Sequence, residues 1–371
     1  MNKKIRLGSK MKKEIGSNFW QNRDFYKNKD YNIEKILKDI QIEEENYKFF
    51  SAARQAITFA LRDSKIKNIR ALIPEFTCYS VIEPFLLEKG EVFSYPVLKN
   101  NLSIKVSKLN NLIDENNINV LLIHPYFGFN TIIYDEELRD DLVVIFDDTQ
   151  GIYSNFNYDF YDYKLVSLRK WGPLVDGSLL VKKDSFNIVE DFKENKRLTP
   201  IMMEAMDKKA KYMDENKGDK DIFLSLYREG LNCIRENKDL NRISEESLIS
   251  QTYMDIDDLK KKRNNNFKSL LDFNWCYIGR PIFNEIDDDI VPLFFPFYVN
   301  DNRKDLQKFL AKNNIYAPII WGRPDYYKEK DIILDRNTEY IYNHILCIPI
   351  DQRYDLDDMN KVKRVLEDFE K

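Results

Sequence analysis

Short apolar runs alternate with amphipathic segments between residues 49 and 181. The runs cover residues 71–74, 92–95, 119–124, 142–147, 165–168 and 179–181. Such runs are typical of strands that are buried on both faces, as in a mainly parallel sheet covered by helices. The segments 54–61 and 80–87, which lie between them, have the spacing of helices. The pattern therefore predicts a large α/β domain.

The pattern changes after residue 186. Charged and amide residues with helical spacing predict exposed helices over 202–215, 222–236 and 245–266. A second α/β stretch follows, with strands predicted over 291–299 and 345–349 and helices over 303–313 and 356–369. We predict three parts: an N-terminal arm (1–45), a large domain with its helical segment (46–268), and a small C-terminal α/β domain (269–371).

Composition narrows the possible functions. The chain has 371 residues, of which 43% are hydrophobic, so it can bury a sizeable core. A net charge of −4 gives no reason to expect nucleic-acid binding. Two histidines and four widely spaced cysteines argue against a metal centre or a disulfide framework, and they favour a reducing cytoplasm.

The basic start, MNKKIRLGSKMKKEIGS, has no apolar core of the kind that a secretory signal needs. We expect a solvated, poorly ordered arm there, although contact with acidic lipid or nucleic acid is the alternative. The apolar stretches elsewhere are too short and too interrupted by proline to span a bilayer. The sequence therefore predicts no membrane span.

Polar residues follow three of the predicted strands: His124, Asp147 with Asp148, and the segment 167–170. Ligands of open α/β sheets bind beyond the carboxyl ends of the strands, so these residues predict a site. The Ser-x-x-Lys spacing occurs three times in the chain and means little by itself. The occurrence ending at Lys170 differs because it lies at a strand end.

A lysine near a buried carboxylate has two interpretations. The first is a structural ion pair. The second is a lysine that holds pyridoxal phosphate as a Schiff base, with a carboxylate at the pyridine nitrogen. This cofactor also needs a phosphate cradle, and the small residues that open the helix at 51–54 could provide one. Their alternative role is an ordinary serine N-cap. The three features together favour the cofactor.

Six stretches in order resemble the landmarks of fold-type I pyridoxal-phosphate enzymes. They are "FFSAARQAI", "LIPEFTCYSVIEPFL", "LLIHPYFGF", "VIFDDTQGIYS", "SLRKWGPLVDGS" and "ILCIPIDQRYDLDDM". They look most like the DegT/StrS sugar aminotransferase family, from about Phe49 to the C-terminus. The resemblance implies a large, mainly parallel sheet domain followed by a smaller α/β domain.

The resemblance implies roles for several residues. Lys170 matches the Schiff-base lysine, and Asp147 matches the partner of the pyridine nitrogen. Asp148 is the rival for that role, but only Asp147 keeps the three-residue spacing to Gln150. Gln150 matches the residue beside the ring oxygen of the cofactor, and Ser167 matches a phosphate-binding serine, with a capping role as its alternative.

Further matches are weaker. Ala53 and Arg54 fall in the phosphate loop, where the family usually has Gly-Thr or Gly-Ser. Either Cys78 or Tyr79 falls where a side chain lies over the ring, although both could be core residues. Asn266 resembles an asparagine that reaches across to a partner subunit, or it is only a polar helix end. The resemblance therefore implies a homodimer.

Two stretches of the small domain could face substrate. Residues 316–324 contain Trp321 and Arg323, and residues 350–354 contain Arg353. An arginine beside aromatic rings suits a phosphate or carboxylate next to a ring. The alternatives are an exposed loop arginine and a core tryptophan. After Lys170 the chain has Asp-Gly-Ser where the family has a glycine-rich turn, which indicates a divergent branch.

The expected function is an aminotransferase that moves an amino group from an amino acid, such as glutamate, to a nucleotide-linked or other keto sugar. The resemblance places this reaction in surface-polysaccharide or amino-sugar biosynthesis. One alternative is other pyridoxal-phosphate chemistry, such as sugar dehydration. Related dehydratases replace the lysine with histidine, so Lys170 favours transamination. A non-catalytic binding or regulatory protein that retains the fold is the other alternative.

Overall fold

The computed structural model describes residues 14–156 and 158–369. The strands in these ranges are β1 (Ile15–Gly16), β2 (Tyr47–Phe50), β3 (Arg70–Pro74), β4 (Glu91–Tyr95), β5 (Ile104–Lys105), β6 (Val120–Ile123), β7 (Ile132–Ile133), β8 (Val143–Asp147), β9 (Tyr163–Val166), β10 (Ser178–Lys182), β11 (Gly279–Pro281), β12 (Phe295–Val299), β13 (Ile315–Tyr316) and β14 (Ile345–Ile348).

The α-helices in the same ranges are α1 (Ile33–Asp39), α2 (Ala53–Asp63), α3 (Tyr79–Leu87), α4 (Val106–Asn116), α5 (Leu198–Asp214), α6 (Lys220–Glu236), α7 (Glu245–Thr252), α8 (Ile256–Leu271), α9 (Arg303–Lys312), α10 (Asp325–Glu329), α11 (Arg336–His344) and α12 (Leu356–Phe369). Short 3-10 helices span Arg23–Tyr26, Asp148–Gln150 and Leu168–Lys170.

A seven-stranded sheet forms the centre of the large domain, in the order β2-β10-β9-β8-β6-β3-β4. The strands from β9 to β4 pair in parallel, and β10 is antiparallel to both of its neighbours. All four residues of β6 are buried, as a strand covered on both faces requires. The predicted α/β fold with a mainly parallel sheet is confirmed.

The small domain is built on the antiparallel sheet β11-β12-β14. Helix α12 packs against α8 and α9 and buries Met359, Val362 and Leu366, which share one face. Residues of both sheets, such as Leu121 and Phe297, belong to one continuous apolar core. This shared core holds the two sheets in a defined relation, so residues from both can form one site.

The structure corrects the helical segment in two respects. The predicted helix over 245–266 is two helices, because Asp255 caps α8 by accepting a hydrogen bond from the Asp258 amide at 3.0 Å. Helices α5 and α6 are not exposed all round, since they pack together and bury residues such as Phe223. They approach closely at Gly230, where a Cβ atom would lie 2.3 Å from Sδ of Met202.

The N-terminal segment is packed from residue 14 onwards, whereas the rest of the basic start lies outside the described residues. Ile15 pairs in parallel with Ile315 of the small domain. The backbone oxygen of Phe19 accepts a hydrogen bond from the Tyr227 hydroxyl at 2.6 Å. The segment thus links α6 to the small domain. No helix of the described ranges is long and apolar enough to cross a membrane.

Candidate active site

Three neighbouring parallel strands end at the same edge of the large sheet. Ile123 pairs with Phe146, and Asp147 pairs with Leu165. This register brings together His124, Asp147 and the turn at Leu168–Lys170. Helix α2 begins at the same edge, because β2 runs parallel to β9 on the far side of β10. The arrangement matches the place where α/β sheets bind ligands.

A compact cavity of about 100 Å³ lies at this edge, and we call it the inner cavity. Eight of the predicted site residues line it: Ala53, Arg54, Cys78, Asp147, Gln150, Ser167, Lys170 and Trp321. A roomier surface groove of about 880 Å³ between Asn130 and Lys183 contains none of the predicted residues. The chemistry of the inner cavity, rather than its size, makes it the candidate site.

Asp147 is the carboxylate of the inner cavity. Its Oδ1 atom accepts a hydrogen bond from the Thr149 amide at 3.1 Å. Burial raises the pKa of the Asp147 carboxyl, while the hydrogen bond from Thr149 and the charge of Lys170 act in the opposite direction. A cationic nitrogen placed against this carboxylate would stabilise its ionised form.

Asp148 lies outside the inner cavity. Its Oδ2 atom is 3.2 Å from Nζ of Lys164, and both side chains are largely buried. Burial raises the pKa of the Asp148 carboxyl to about 6, against the opposing effect of Lys164. The two adjacent carboxylates therefore differ in their surroundings. Asp148 is paired with Lys164 of β9, and Asp147 lines the inner cavity.

Lys170 borders two cavities. It lines the inner cavity and also a second, outer cavity of about 640 Å³. Solvent reaches its side chain, but the surrounding protein still lowers the pKa of the amine by desolvation. Arg169 lowers this pKa further, while Cys78 and Asp147 oppose the change. A lowered pKa increases the fraction of neutral amine, which is the nucleophilic form.

Hydrogen bonds between side chains and the backbone fix the turns that carry these groups. The Oε1 atom of Gln150 accepts a hydrogen bond from the Phe127 amide at 2.7 Å. The Ser167 amide donates to Oγ1 of Thr149 at 2.9 Å, and the Trp171 indole donates to the Thr149 carbonyl at 2.8 Å. Thr149 thus connects the turn after β8 to the turn after β9, close in sequence to Asp147 and Lys170.

Helix α2 starts at the inner cavity without a side-chain cap. The N-cap residue is Ala52 rather than Ser51, and no side-chain hydrogen bond caps this end. Ser51 is buried, and its amide donates to the Asn241 carbonyl at 2.8 Å. The amide groups at the start of a helix attract anions, especially where no side chain satisfies them. The short side chains of Ala52 and Ala53 leave room for a ligand there.

Two arginines line the inner cavity near the start of α2, and their partners differ. The Arg54 guanidinium donates to Glu83, which also binds Nζ of Lys238 at 2.6 Å. The Nε atom of Arg169 is buried and has no hydrogen-bond partner among the described residues. Burial lowers the pKa of Arg169. Arg54 is therefore paired with a carboxylate, whereas the Nε atom of Arg169 is left without an acceptor among the described residues.

The wall of the inner cavity also contains a thiol and two aromatic rings, those of Cys78, Trp321 and His124. Cys78, the N-cap residue of α3, lines it, whereas Tyr79 does not and is 44% exposed. The alternation of neighbouring side chains at the helix start turns the two in different directions. Trp321 lies edge-on to His124, with ring centroids 5.7 Å apart. Burial lowers the pKa of His124 to about 4, so this imidazole is neutral near pH 7.

Two predicted contacts lie elsewhere. The Asn266 side chain donates to the backbone oxygens of Ile350 and Tyr354 at 3.1 and 3.0 Å, because α8 turns this residue towards the small domain. It is buried in its own chain rather than presented to a partner. Arg323 lies outside both cavities, 3.8 Å from Glu339 on the surface.

The outer cavity lies between the N-terminal segment, α6 and the small domain. Its walls include Phe19, Leu224 and Phe294. Arg353 reaches this cavity but is held by Asp351 through two contacts of 2.7 and 2.8 Å. The residue pairs its charge within the protein, and the surface presented to a ligand is mainly apolar.

Sequence reasoning missed several residues of the inner cavity, among them Arg169, Thr149 and His124. Arg169 stood inside the quoted "SLRK" motif, and Thr149 stood inside "DDTQ". His124 was noted as a polar strand end but was given no role. Their positions next to matched residues were the available signal, but nothing in a linear pattern shows which side chain lacks a partner.

Comparison with solved structures defines the fold. The sugar aminotransferase CalS13 from Micromonospora echinospora aligns with a TM-score of 0.62 at 12% identity, over 95% of this chain and 98% of that chain. A DegT DnrJ EryC1 StrS aminotransferase from Brucella abortus gives 0.61 at 13%, over 94% and 93%. The ntda protein of Bacillus subtilis, with bound cofactor PMP, gives 0.62 at 13%, over 91% and 77%.

This chain therefore has the fold of the fold-type I aminotransferases. It shares this fold over nearly its whole length with solved sugar aminotransferases, one of them described as a DegT DnrJ EryC1 StrS aminotransferase. No protein-family model and no curated protein sequence matches the chain. The low identities agree with the divergent phosphate loop and the altered turn after Lys170 that the sequence shows.

Proposed function

We propose that this protein is a pyridoxal-phosphate-dependent aminotransferase that transfers an amino group from an amino acid to a keto sugar. One observation carries the proposal: Lys170 borders both cavities, with Asp147 inside the smaller one. A lysine in this position can hold a cofactor on one side and reach a substrate on the other. The likeness of the fold to sugar aminotransferases supports the choice of substrate.

The residues of the inner cavity suit pyridoxal phosphate. Asp147 forms no ion pair with a described residue, and it would stabilise a protonated ring nitrogen. The uncapped start of α2 and the unpartnered Nε atom of Arg169 suit a phosphate. Structures that share the fold contain PLP or PMP. When bound, the cofactor supplies an electron-accepting ring that stabilises negative charge on the reacting carbon.

The chain's own residues would then have distinct tasks. Lys170 would hold the cofactor through its amine and, once released, move a proton at the substrate carbon. Its lowered pKa leaves more of the amine neutral and able to accept that proton. Asp147 would keep the ring nitrogen protonated, and Gln150 and Ser167 would contact the ring and the phosphate. Thr149 would hold the two turns in register.

The finer assignments follow the family resemblance. We propose glutamate as the amino donor and a nucleotide-linked keto sugar as the acceptor, in surface-polysaccharide or amino-sugar biosynthesis. The substrate would approach Lys170 from the outer cavity. All four cysteines are unpaired, which suits a reducing cytoplasm. We also propose a homodimer in which a partner subunit completes the pocket, although Asn266 is not the residue that does so.

A spectroscopic experiment tests the proposal. The purified protein is incubated with pyridoxal phosphate, reduced with borohydride and digested, and the modified peptide is found by mass spectrometry. We expect a visible absorbance band and a label on Lys170. Lys170→Ala should lose both, and Lys170→Arg should lose them while keeping the charge. Lys268→Ala, a change at an exposed lysine of α8 that lines neither cavity, should keep both.

Function is tested next with the loaded protein. Glutamate should remove the visible band, and a keto sugar from a panel of free and nucleotide-linked sugars should restore it. Labelling of a lysine other than Lys170 would overturn the assignment of the site. A protein that stays colourless at saturating cofactor would instead favour a binding protein that has kept the fold. Light scattering that shows a monomer with tightly bound cofactor would contradict the shared pocket.

A further inference from the structure

Arg169 occupies an unusual position beside the inner cavity. It belongs to the 3-10 helix Leu168–Lys170 and immediately precedes Lys170, so the same short turn presents two cations. The two side chains diverge, since Lys170 reaches the outer cavity and Arg169 lines only the inner one. The Nε atom of Arg169 is buried without a hydrogen-bond partner among the residues described.

Asp176 is the carboxylate whose charge acts on Arg169, and it already accepts hydrogen bonds from other side chains. Asp176 raises the pKa of Arg169 only against the larger effect of burial. The Oδ1 atom of Asp176 accepts hydrogen bonds from the hydroxyls of Ser244 and Ser247, both at 2.7 Å. The other arginine of the cavity, Arg54, is bound to Glu83. A buried N–H donor without an acceptor is costly, and an anionic ligand that accepts from Nε of Arg169 would remove that cost.

The start of α2 supplies the second half of an anion site. Ala53 and Arg54 begin the helix and line the same cavity as Arg169, and Ala52 provides no side-chain cap. A helix of 11 residues has a positive end that favours an anion at this point. The phosphate loop lacks the glycine that lets a backbone approach closely, so a charged side chain becomes more important here.

We propose that Arg169 binds the phosphate group of the cofactor, together with the amide groups at the start of α2. This inference rests on the proposed function and extends it, because it gives this chain a charged phosphate ligand in place of the missing glycine loop. Arg169 then determines the preference for the phosphorylated cofactor over its dephosphorylated form. Lys170 and Asp147 serve both forms equally.

The test compares the binding of pyridoxal phosphate and pyridoxal, followed by absorbance, in the wild type and in Arg169→Met. We expect Arg169→Met to weaken pyridoxal phosphate roughly ten- to a hundred-fold, the range for a charge-assisted hydrogen bond, and to leave pyridoxal unchanged. Arg169→Lys should recover part of the preference. Arg323→Met, which removes an exposed arginine outside both cavities, should match the wild type.

Inorganic phosphate gives a readout that needs no cofactor. It should raise the melting temperature of the cofactor-free wild type and should have no such effect on Arg169→Met. Without any ligand, Arg169→Met should be at least as stable as the wild type, because it removes a buried N–H donor that has no acceptor among the described residues. An arginine with a purely structural role would give a less stable protein with an unchanged preference for phosphate, and that result would overturn the inference.

The two proposals fail in different ways. If the wild type binds pyridoxal phosphate at Lys170 and Arg169→Met keeps the full preference over pyridoxal, the role of Arg169 is wrong and the proposed function stands. If the wild type binds neither form at Lys170, the proposed function is wrong. Stabilisation of the wild type by phosphate, lost in Arg169→Met, would still identify the anion site.

Discussion

Lys170 lines both the inner and the outer cavity, but the two cavities differ in whether the protein supplies partners for their charged side chains. In the inner cavity, Asp147 lines the wall, and the buried Nε atom of Arg169 has no hydrogen-bond partner among the described residues. In the outer cavity, Arg353 is bound to Asp351 through two contacts. In the inner cavity these two side chains are available to a ligand, although Arg54 is paired with Glu83, whereas in the outer cavity the pair of Arg353 and Asp351 stabilises the fold.

The difference has a physical basis. A charge moved out of water must be compensated, either by another protein group or by a ligand. Where the protein supplies the partner, as for Arg353, the ion pair stabilises the fold, and the rest of the cavity wall can be apolar. Where the protein leaves the charge open, the site is prepared for an anion or a cation of matching geometry. Unpaired buried charge is thus a better indicator of a binding site than cavity size.

The largest expected effect concerns the two adjacent carboxylates. Asp147→Asn should lower kcat at least roughly a hundred-fold, comparable to the loss of one essential electrostatic group, because an amide cannot keep the ring nitrogen protonated. Asp148→Asn should change kcat only a few-fold, since Asp148 contacts Lys164 instead. Steady-state kinetics with the loaded protein measure both, and a larger loss in Asp148→Asn would reverse their roles.

Substitution of Arg353 in the outer cavity should lower the free energy of unfolding. Arg353→Met leaves Asp351 buried without its cation, and breaking such a pair costs about 3–5 kcal/mol. Urea denaturation should show this loss in the free energy of unfolding. The double variant Asp351→Asn/Arg353→Met should recover much of it, because no charge is then left unpaired. If Arg353→Met has the same free energy of unfolding as the wild type, the pair does not stabilise the fold.

The stability of the protein should depend on pH through His124, which lines the inner cavity. Burial lowers its pKa from 6.5 to about 4 in the folded protein. The unfolded chain therefore binds a proton more readily, and this contribution to stability is complete above pH 6.5 and is lost as the pH falls towards 4. The total is about 3 kcal/mol, from a shift of roughly 2.5 pH units.

The measurement compares the free energy of unfolding of the wild type and His124→Gln at pH 7 and pH 4.5. The wild type should lose more stability between these two values than the variant. Contributions from Asp148 and other groups are common to both proteins and cancel in the comparison. Equal losses in the two proteins would mean that His124 does not titrate in this range.

The smallest effect is expected at Arg323. It is exposed and 3.8 Å from Glu339, and surface pairs of this kind contribute under about 1 kcal/mol. Arg323→Ala should leave the absorbance spectrum unchanged and alter both half-reactions less than about two-fold. Single-turnover kinetics measure both half-reactions. A ten-fold weaker reaction with sugar would restore the prediction that the sequence alone supports.

Local patterns in the sequence were sufficient for the elements and for the main chemical groups. Buried strands produce continuous apolar runs, and chain order places His124, Asp147 and Lys170 at strand ends. The resemblance of the motifs then identified the fold, which the solved structures confirm. These features depend on neighbours within a few residues, or on an order of elements that the linear chain displays.

Partners distant in the chain were decided only by the tertiary structure. Asn266 donates to Tyr354, 88 residues away, and so is turned inwards rather than towards a partner subunit. Glu83 neutralises Arg54, whereas the buried Nε atom of Arg169 has no hydrogen-bond partner among the described residues. Arg54 and Arg169 are the same residue type, each beside the same cavity. Their difference arises from which carboxylate the packing brings near, and a pattern along one chain contains no measure of that distance.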